Sequence, residues 1–145
     1  MLRWDRSLLG QEVSRLEQYV TRAMILEYVS IIGARDPMHS DPQAAQARGY
    51  RDIIAPATFL IWRGTYPIVP PEMGFTGIGI NAGYECVFHG VVYPDDVLTY
   101  ITCLVDMYEK TGRSGTMPFV VRETRVTNQH GETIAVCRNT FILGW

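Results

Sequence analysis

Apolar side chains at Met24, Ile25, Tyr28, Val29, Ile31 and Ile32 recur at helical spacing, with Thr21 placed to cap the first turn and Gly33 just past the last. Ahead of this helix, EVSRLEQYV (residues 12–20) predicts a short strand. Asp41-Pro42 is a cap followed by a first-turn proline, so PQAAQAR predicts a second short helix closed by Gly49. A third helix is expected from about Pro56 through ATFLIWRGTY. It is apolar nearly all round, which predicts burial on every side. Prolines and glycines punctuate residues 67–83, which read as a long connection. Past that point YECVFHG, VLTYITCLVDMYEK, TMPFVVRETRVTN and ETIAVCRNTFILGW are rich in Val, Ile, Thr, Tyr and Phe, the residues of strands. YPDD (93–96), TGRSG (111–115) and NQHG (128–131) supply the turns between them.

One strand, a helical block and four antiparallel strands predict an α+β fold. The economical form is the hot-dog arrangement, an antiparallel sheet of about five strands wrapped around a central helix. A small sandwich is the alternative, but it leaves the helix at residues 57–62 without a place. The outer edge and face of a wrapped sheet need cover, so a dimer is expected.

Composition narrows the function classes. A chain of 145 residues with 47% hydrophobic side chains fits one domain spanning 1–145 with a real core. Net charge is −2 and neither Lys nor Arg forms a run, which argues against nucleic acid or an anionic membrane as partner. Cys86, Cys103 and Cys137 lie in apolar, strand-like segments without C-x-x-C spacing. They read as buried, reduced thiols of a cytoplasmic protein. The first residues are too charged for a signal peptide, and no apolar run approaches membrane-spanning length. His39 and Asp41 make the nearest approach to a metal pair, and no ligand set follows in register, so no metal is expected. Gly77, Gly79 and Gly83 neither follow a strand nor open a helix, so no nucleotide loop and no cofactor is expected.

The helix ending at Gly33, then DPMHSDPQAAQARGY, then IIAPATF, resembles the N-terminal dehydratase-type branch of the MaoC-like hot-dog hydratases. YPDDVL sits at that family's proline-and-acid turn, and residues 107–135 resemble its last long hairpin, so the likeness covers nearly the whole chain. The resemblance implies a hydro-lyase acting on enoyl or 3-hydroxyacyl thioesters of coenzyme A or acyl carrier protein. It implies hot-dog dimers, fused or separate, as the working unit. In active members a D-x-N-P-x-H loop holds the water and moves the proton, and a glycine N–H in an H-G pair meets the thioester oxygen, where charge develops.

Placed on this sequence, His39 falls on the catalytic histidine, Pro37 on the motif proline and Asp36 on the asparagine. Ala34 stands where the catalytic aspartate belongs, and Ala55-Pro56 stands where the H-G pair belongs. The slot wall is expected around residues 54–62, from Ile54, Ala55, Ala57, Thr58, Phe59 and Trp62. The first reading is a subunit that holds the acyl group and pairs with a hot-dog chain carrying the intact loop. Its alternatives are a self-sufficient homodimer with His39 as base and Asp36 as a displaced acid, and a non-catalytic acyl-thioester binding protein. A thioesterase ranks last, because it needs a carboxylate on the central helix and residues 57–66 contain none. On the residues alone, Asp36 and Asp41 read as turn and helix caps, His130 as surface, and His89 as a strand-end histidine that either faces the cleft or is merely half exposed. Arg63 and Arg113 read as solvated surface rather than as phosphate contacts.

Overall fold

In a computed structural model, which describes residues 5–62, 69, 73–113 and 115–144 (of Trp62 the backbone alone), five antiparallel strands make one sheet in the order β1-β3-β4-β5-β2. The strands are β1 (Glu12–Tyr19), β2 (Ile78–Phe88), β3 (Val97–Gly112), β4 (Gly115–Thr127) and β5 (Thr133–Gly144). Helices α1 (Arg22–Ile32), α2 (Pro42–Ala47) and α3 (Phe59–Trp62) lie between β1 and β2 in the chain. The caps form as the sequence predicts. Thr21 Oγ1 accepts the Met24 N–H at 3.1 Å, Gly33 is left-handed at φ 64°, and Asp41 accepts the Gln43 N–H at 2.9 Å.

Alternate burial along β3 turns Leu98, Tyr100, Thr102 and Leu104 to one face. Ile25 and Tyr28 of α1 and Phe59 and Leu60 of α3 pack there with Leu98, Tyr100, Val126, Ala135 and Cys137. Phe59 meets Tyr28 edge to face, with ring centroids 5.6 Å apart. Helix on sheet, with one face of the sheet wrapped on the helical block, is the hot-dog architecture.

Three expectations change. The central helix is described only over Phe59–Trp62, since residues 57 and 58 form a turn and residues 63–66 lie outside the described residues. Ala57 and Thr58 are exposed, so its burial is one-sided at the start. Residues 78–83, expected as connection, begin β2 instead. They pair with β5 from Ile78 opposite Gly144, with an irregularity between Asn81 and Gly83. Glycine permits this close approach, because a Cβ on Gly77 would run into the carbonyl oxygen of Gly144.

The third change concerns the thiols. Cys86 and Cys137 stand directly opposite on β2 and β5 and form a disulfide, while Cys103 is free. The expectation of three reduced thiols therefore fails for this pair, and with it the inference from thiols to a reducing compartment. Register, which sequence spacing does not carry, brings the two sulfurs together. Among the described residues no helix is long and apolar enough to cross a membrane.

Candidate active site

The loop between α1 and α2 makes a 3-10 turn at Pro37–His39 because Asp36 caps it. The Asp36 carboxylate accepts the Met38 N–H at 3.1 Å, and proline presets the first position. The other carboxylate oxygen accepts from the Arg48 guanidinium at 2.6 Å. This bond from Arg48, supported by the Met38 N–H, holds the Asp36 carboxyl below the usual carboxylate range. Asp36 is thus ionised at neutral pH and tied into its own loop.

His39 closes the turn and is half-buried. Its Nδ1 lies 2.8 Å from the carbonyl oxygen of Ile54. A carbonyl only accepts, so Nδ1 carries the proton and the lone pair stays on Nε2 in the neutral ring. The Ile54 N–H donates back to the Met38 carbonyl at 3.3 Å, which stitches the loop to the buried stretch leading into α3. On the other side, the Ala55 N–H donates to the Val92 carbonyl at 2.9 Å. Val92 is held there by the YPDD turn, where buried Asp96 accepts the Tyr93 N–H at 2.8 Å and the Gln129 amide at 3.1 Å.

These segments enclose a cavity of about 280 Å³ bordered by Met38, His39, Ile54, Ala55, Pro56, Ala57, Leu60, Phe88, Gly90, Val91 and Val92. It is an apolar slot, and His39 is the one titratable side chain among the described residues that border it. Of the residues expected in the site, His39, Ile54, Ala55 and Ala57 come together here. Asp36, Thr58 and Phe59 do not border the slot. Phe59 is fully buried against Tyr28, and the Tyr28 hydroxyl donates to Thr58 Oγ1 at 2.8 Å. The side chain of Trp62 lies outside the described residues. His89 is exposed, its N–H donating to the Ile134 carbonyl at 2.8 Å. Phe88, Gly90, Val91 and Val92 also line the wall, outside the segment 54–62 where the sequence places it. The apolar run ahead of YPDD was the available signal, but it reads equally well as the end of a strand.

Residues 7–137 match the family described as FAS1-like, dehydratase domain region. The chain belongs to this family of MaoC-like hot-dog dehydratases. A UPF0336 protein of Thermobifida fusca (strain YX) is 41% identical to the MaoC-like chain over 137 residues, 90% of this chain and 87% of that one. Among solved structures, the (R)-hydratase from A. caviae involved in PHA biosynthesis superposes with a TM-score of 0.75 at 21% identity, covering 97% of this chain and 100% of that one. The C-terminally truncated HadBC (3R-hydroxyacyl-ACP dehydratase) complex from Mycobacterium tuberculosis gives 0.74 at 21% identity, covering 92% and 99%. At those identities the two structures establish the hot-dog fold.

Set against the active pattern that the resemblance implies, the chain departs at Ala34, at Asp36 and at Ala55-Pro56. Ala34 presents a methyl group where the aspartate would stand, and its N–H donates to the Val29 carbonyl at 3.0 Å. At Ala55-Pro56 the one N–H available is engaged by Val92, and proline has none. Among the described residues no group of three or more His, Cys, Asp or Glu gathers as a metal site.

Proposed function

We propose that this chain is the acyl-holding subunit of an enoyl-thioester hydratase or 3-hydroxyacyl-thioester dehydratase, acting on a coenzyme A or carrier-protein thioester. A second hot-dog chain with an intact loop supplies the acid, the base and the oxyanion donor. One observation carries the reading. Where a thioester oxygen would seek an N–H, Ala55 is committed to Val92 at 2.9 Å and Pro56 has nothing to donate. A slot with a histidine but neither an acid nor an oxyanion donor binds an acyl group better than it turns one over. The displaced-acid alternative loses support, because Asp36 is ionised, paired with Arg48 and off the slot wall.

The sheet supplies a place for the partner. Strand β2 is the last of the sheet, and Ile78, Ile80, Val87 and Phe88 on it are exposed, Ile78 at 72%. An apolar edge of this kind accepts another strand. The HadBC complex, a pairing of two different chains on this fold, supports the same arrangement here.

Enoyl-thioester absorbance tests the proposal. The purified chain alone should hydrate short and long enoyl thioesters feebly or not at all. Adding a hot-dog partner with an intact loop should restore turnover, and replacing that partner's aspartate should abolish it. Brisk turnover by the lone chain, lost in Asp36→Asn, would overturn the proposal.

A further inference from the structure

Leu60 stands between two cavities. On one side is the histidine slot of about 280 Å³, and on the other, along the inner face of the sheet, is a second cavity of about 320 Å³. Local geometry puts the leucine there. The Phe59 N–H donates to the Pro56 carbonyl at 2.9 Å and the Ile61 N–H to the Thr58 carbonyl at 3.0 Å, so the chain is already turning where α3 begins. Phe59 is pinned edge-on to Tyr28, and the next residue lies about 100° round the helix axis from it. Leu60 is 5% exposed and belongs to the core cluster that holds Tyr100, Val126 and Cys137. It is part of the core and, at the same time, the floor of the slot.

The two cavities suit different contents. Apart from His39 the slot is walled by apolar side chains and backbone, among them Met38, Ile54, Phe88 and Val91. Each methylene that leaves water for such a wall tightens binding ~4-fold. Beyond Leu60 the sheet presents polar side chains instead. Strand pairing sets Arg122 on β4 opposite Asn139 on β5, and both are buried on the inner face with Thr124 and Asn81 beside them. These groups are engaged with their neighbours. The Asn139 amide donates to Asn81 Oδ1 at 3.2 Å and to the Gly83 carbonyl at 2.9 Å, and the Thr124 and Thr102 hydroxyls bond at 2.8 Å. Arg122 reaches Asn139 Oδ1 at 3.5 Å and lies over the Phe141 ring. Hydrocarbon pushed among them would displace water from polar surface and gain little.

We infer that Leu60 ends the slot and limits the acyl group held there to about eight carbons. At about 30 Å³ for each heavy atom, the room that one water takes, the slot has space for about nine: the thioester carbonyl and about seven further carbons. That the occupant is an acyl thioester rests on the reading above; the length limit set by Leu60 does not. The full chain is titrated calorimetrically with butanoyl-, hexanoyl-, octanoyl-, decanoyl- and dodecanoyl-pantetheine, which are saturated and undergo no hydration. Straight-chain alcohols from butanol to dodecanol are the thioester-free probes.

Affinity should rise ~4-fold per methylene as far as octanoyl and then level or fall. Leu60→Ala takes three carbons out of the floor, so in that variant the rise should continue to decanoyl. Leu60→Val, which takes out one, serves if the first variant does not fold, and is read with nonanoyl-pantetheine. Affinity that climbs steadily to dodecanoyl in the unaltered chain would overturn the inference while leaving the thioester reading intact. A break that stays at octanoyl in the Leu60 variant would overturn it equally. A break in the alcohol series that moves in the variant, with no thioester bound, would keep the inference and sink that reading. Binding by neither series would overturn both.

Discussion

His39 Nδ1 is fastened to the carbonyl oxygen of Ile54 at 2.8 Å, which fixes the ring's orientation and leaves Nε2 as the basic atom. The bond places a histidine at the slot without supplying a proton donor or an oxyanion site beside it. In the assembled pair the partner's loop is expected to carry both proton transfers. His39→Ala should therefore leave turnover of the pair nearly unchanged and the fold intact. A loss of ~10²-fold, the size expected for a missing general base, would assign that role to His39 itself.

The Asp36–Arg48 pair makes a prediction about pH. The Asp36 carboxyl is lowered in the folded chain, chiefly by its hydrogen bond from Arg48, so the folded state binds its proton less readily than the unfolded state does. Such a group stabilises above its unfolded pKa of about 3.9, and the contribution disappears as pH falls through the lower folded value. Asp36→Asn should accordingly reduce stability in urea at neutral pH, and the gap should close on acidification below the ordinary carboxylate range. A gap that persists undiminished in acid would show that the cap, not the charge, was lost.

Phe59 and Ala57 sit two residues apart and should respond oppositely. Phe59 is fully buried against Tyr28, so Phe59→Ala should cost roughly 3–5 kcal/mol of stability, as for other buried aromatics. Ala57 is exposed and borders the slot, so Ala57→Leu should fill the slot and weaken acyl-thioester binding while stability holds. Chemical denaturation and calorimetry of both variants separate the two roles. A stable Phe59→Ala chain with weakened binding would move Phe59 into the slot wall.

The cross-strand disulfide can be read directly. Thiol alkylation of the unreduced, denatured chain should modify Cys103 alone, and prior reduction should add Cys86 and Cys137. The bond joins residues 51 apart, for which the chain-entropy relation gives a stabilisation of about 4 kcal/mol. Reduced and oxidised chains should therefore separate clearly in a urea gradient. Full labelling of all three cysteines without reductant would refute the pairing.

Local signals in the chain carried α1, α2 and four of the strands well, because Thr21, Asp41, Gly33 and the YPDD turn act on their own neighbours. What escaped was set by pairing at a distance. Glycines that weaken a strand in isolation are what allow residues 78–83 to lie against β5. Cys86 and Cys137 meet only because the same pairing puts them on one rung. The site divides in the same way. His39 and the missing donor at Pro56 were legible from the order of residues. The engagement of the Ala55 N–H by Val92, and the inward turn of Arg122, depend on which strands lie side by side.

Strand β2 has a consequence for the cell as well as for assembly. A strand that ends the sheet with Ile78 and Ile80 in water offers itself to any other strand, including another copy of its own kind. Its safety then depends on dosage. Copies made in excess of whatever covers that edge meet one another, and surplus of this sort is lost to precipitation or to proteases. Where the proposed partner chain covers that edge, balanced synthesis of the two is a condition of having either in useful amount.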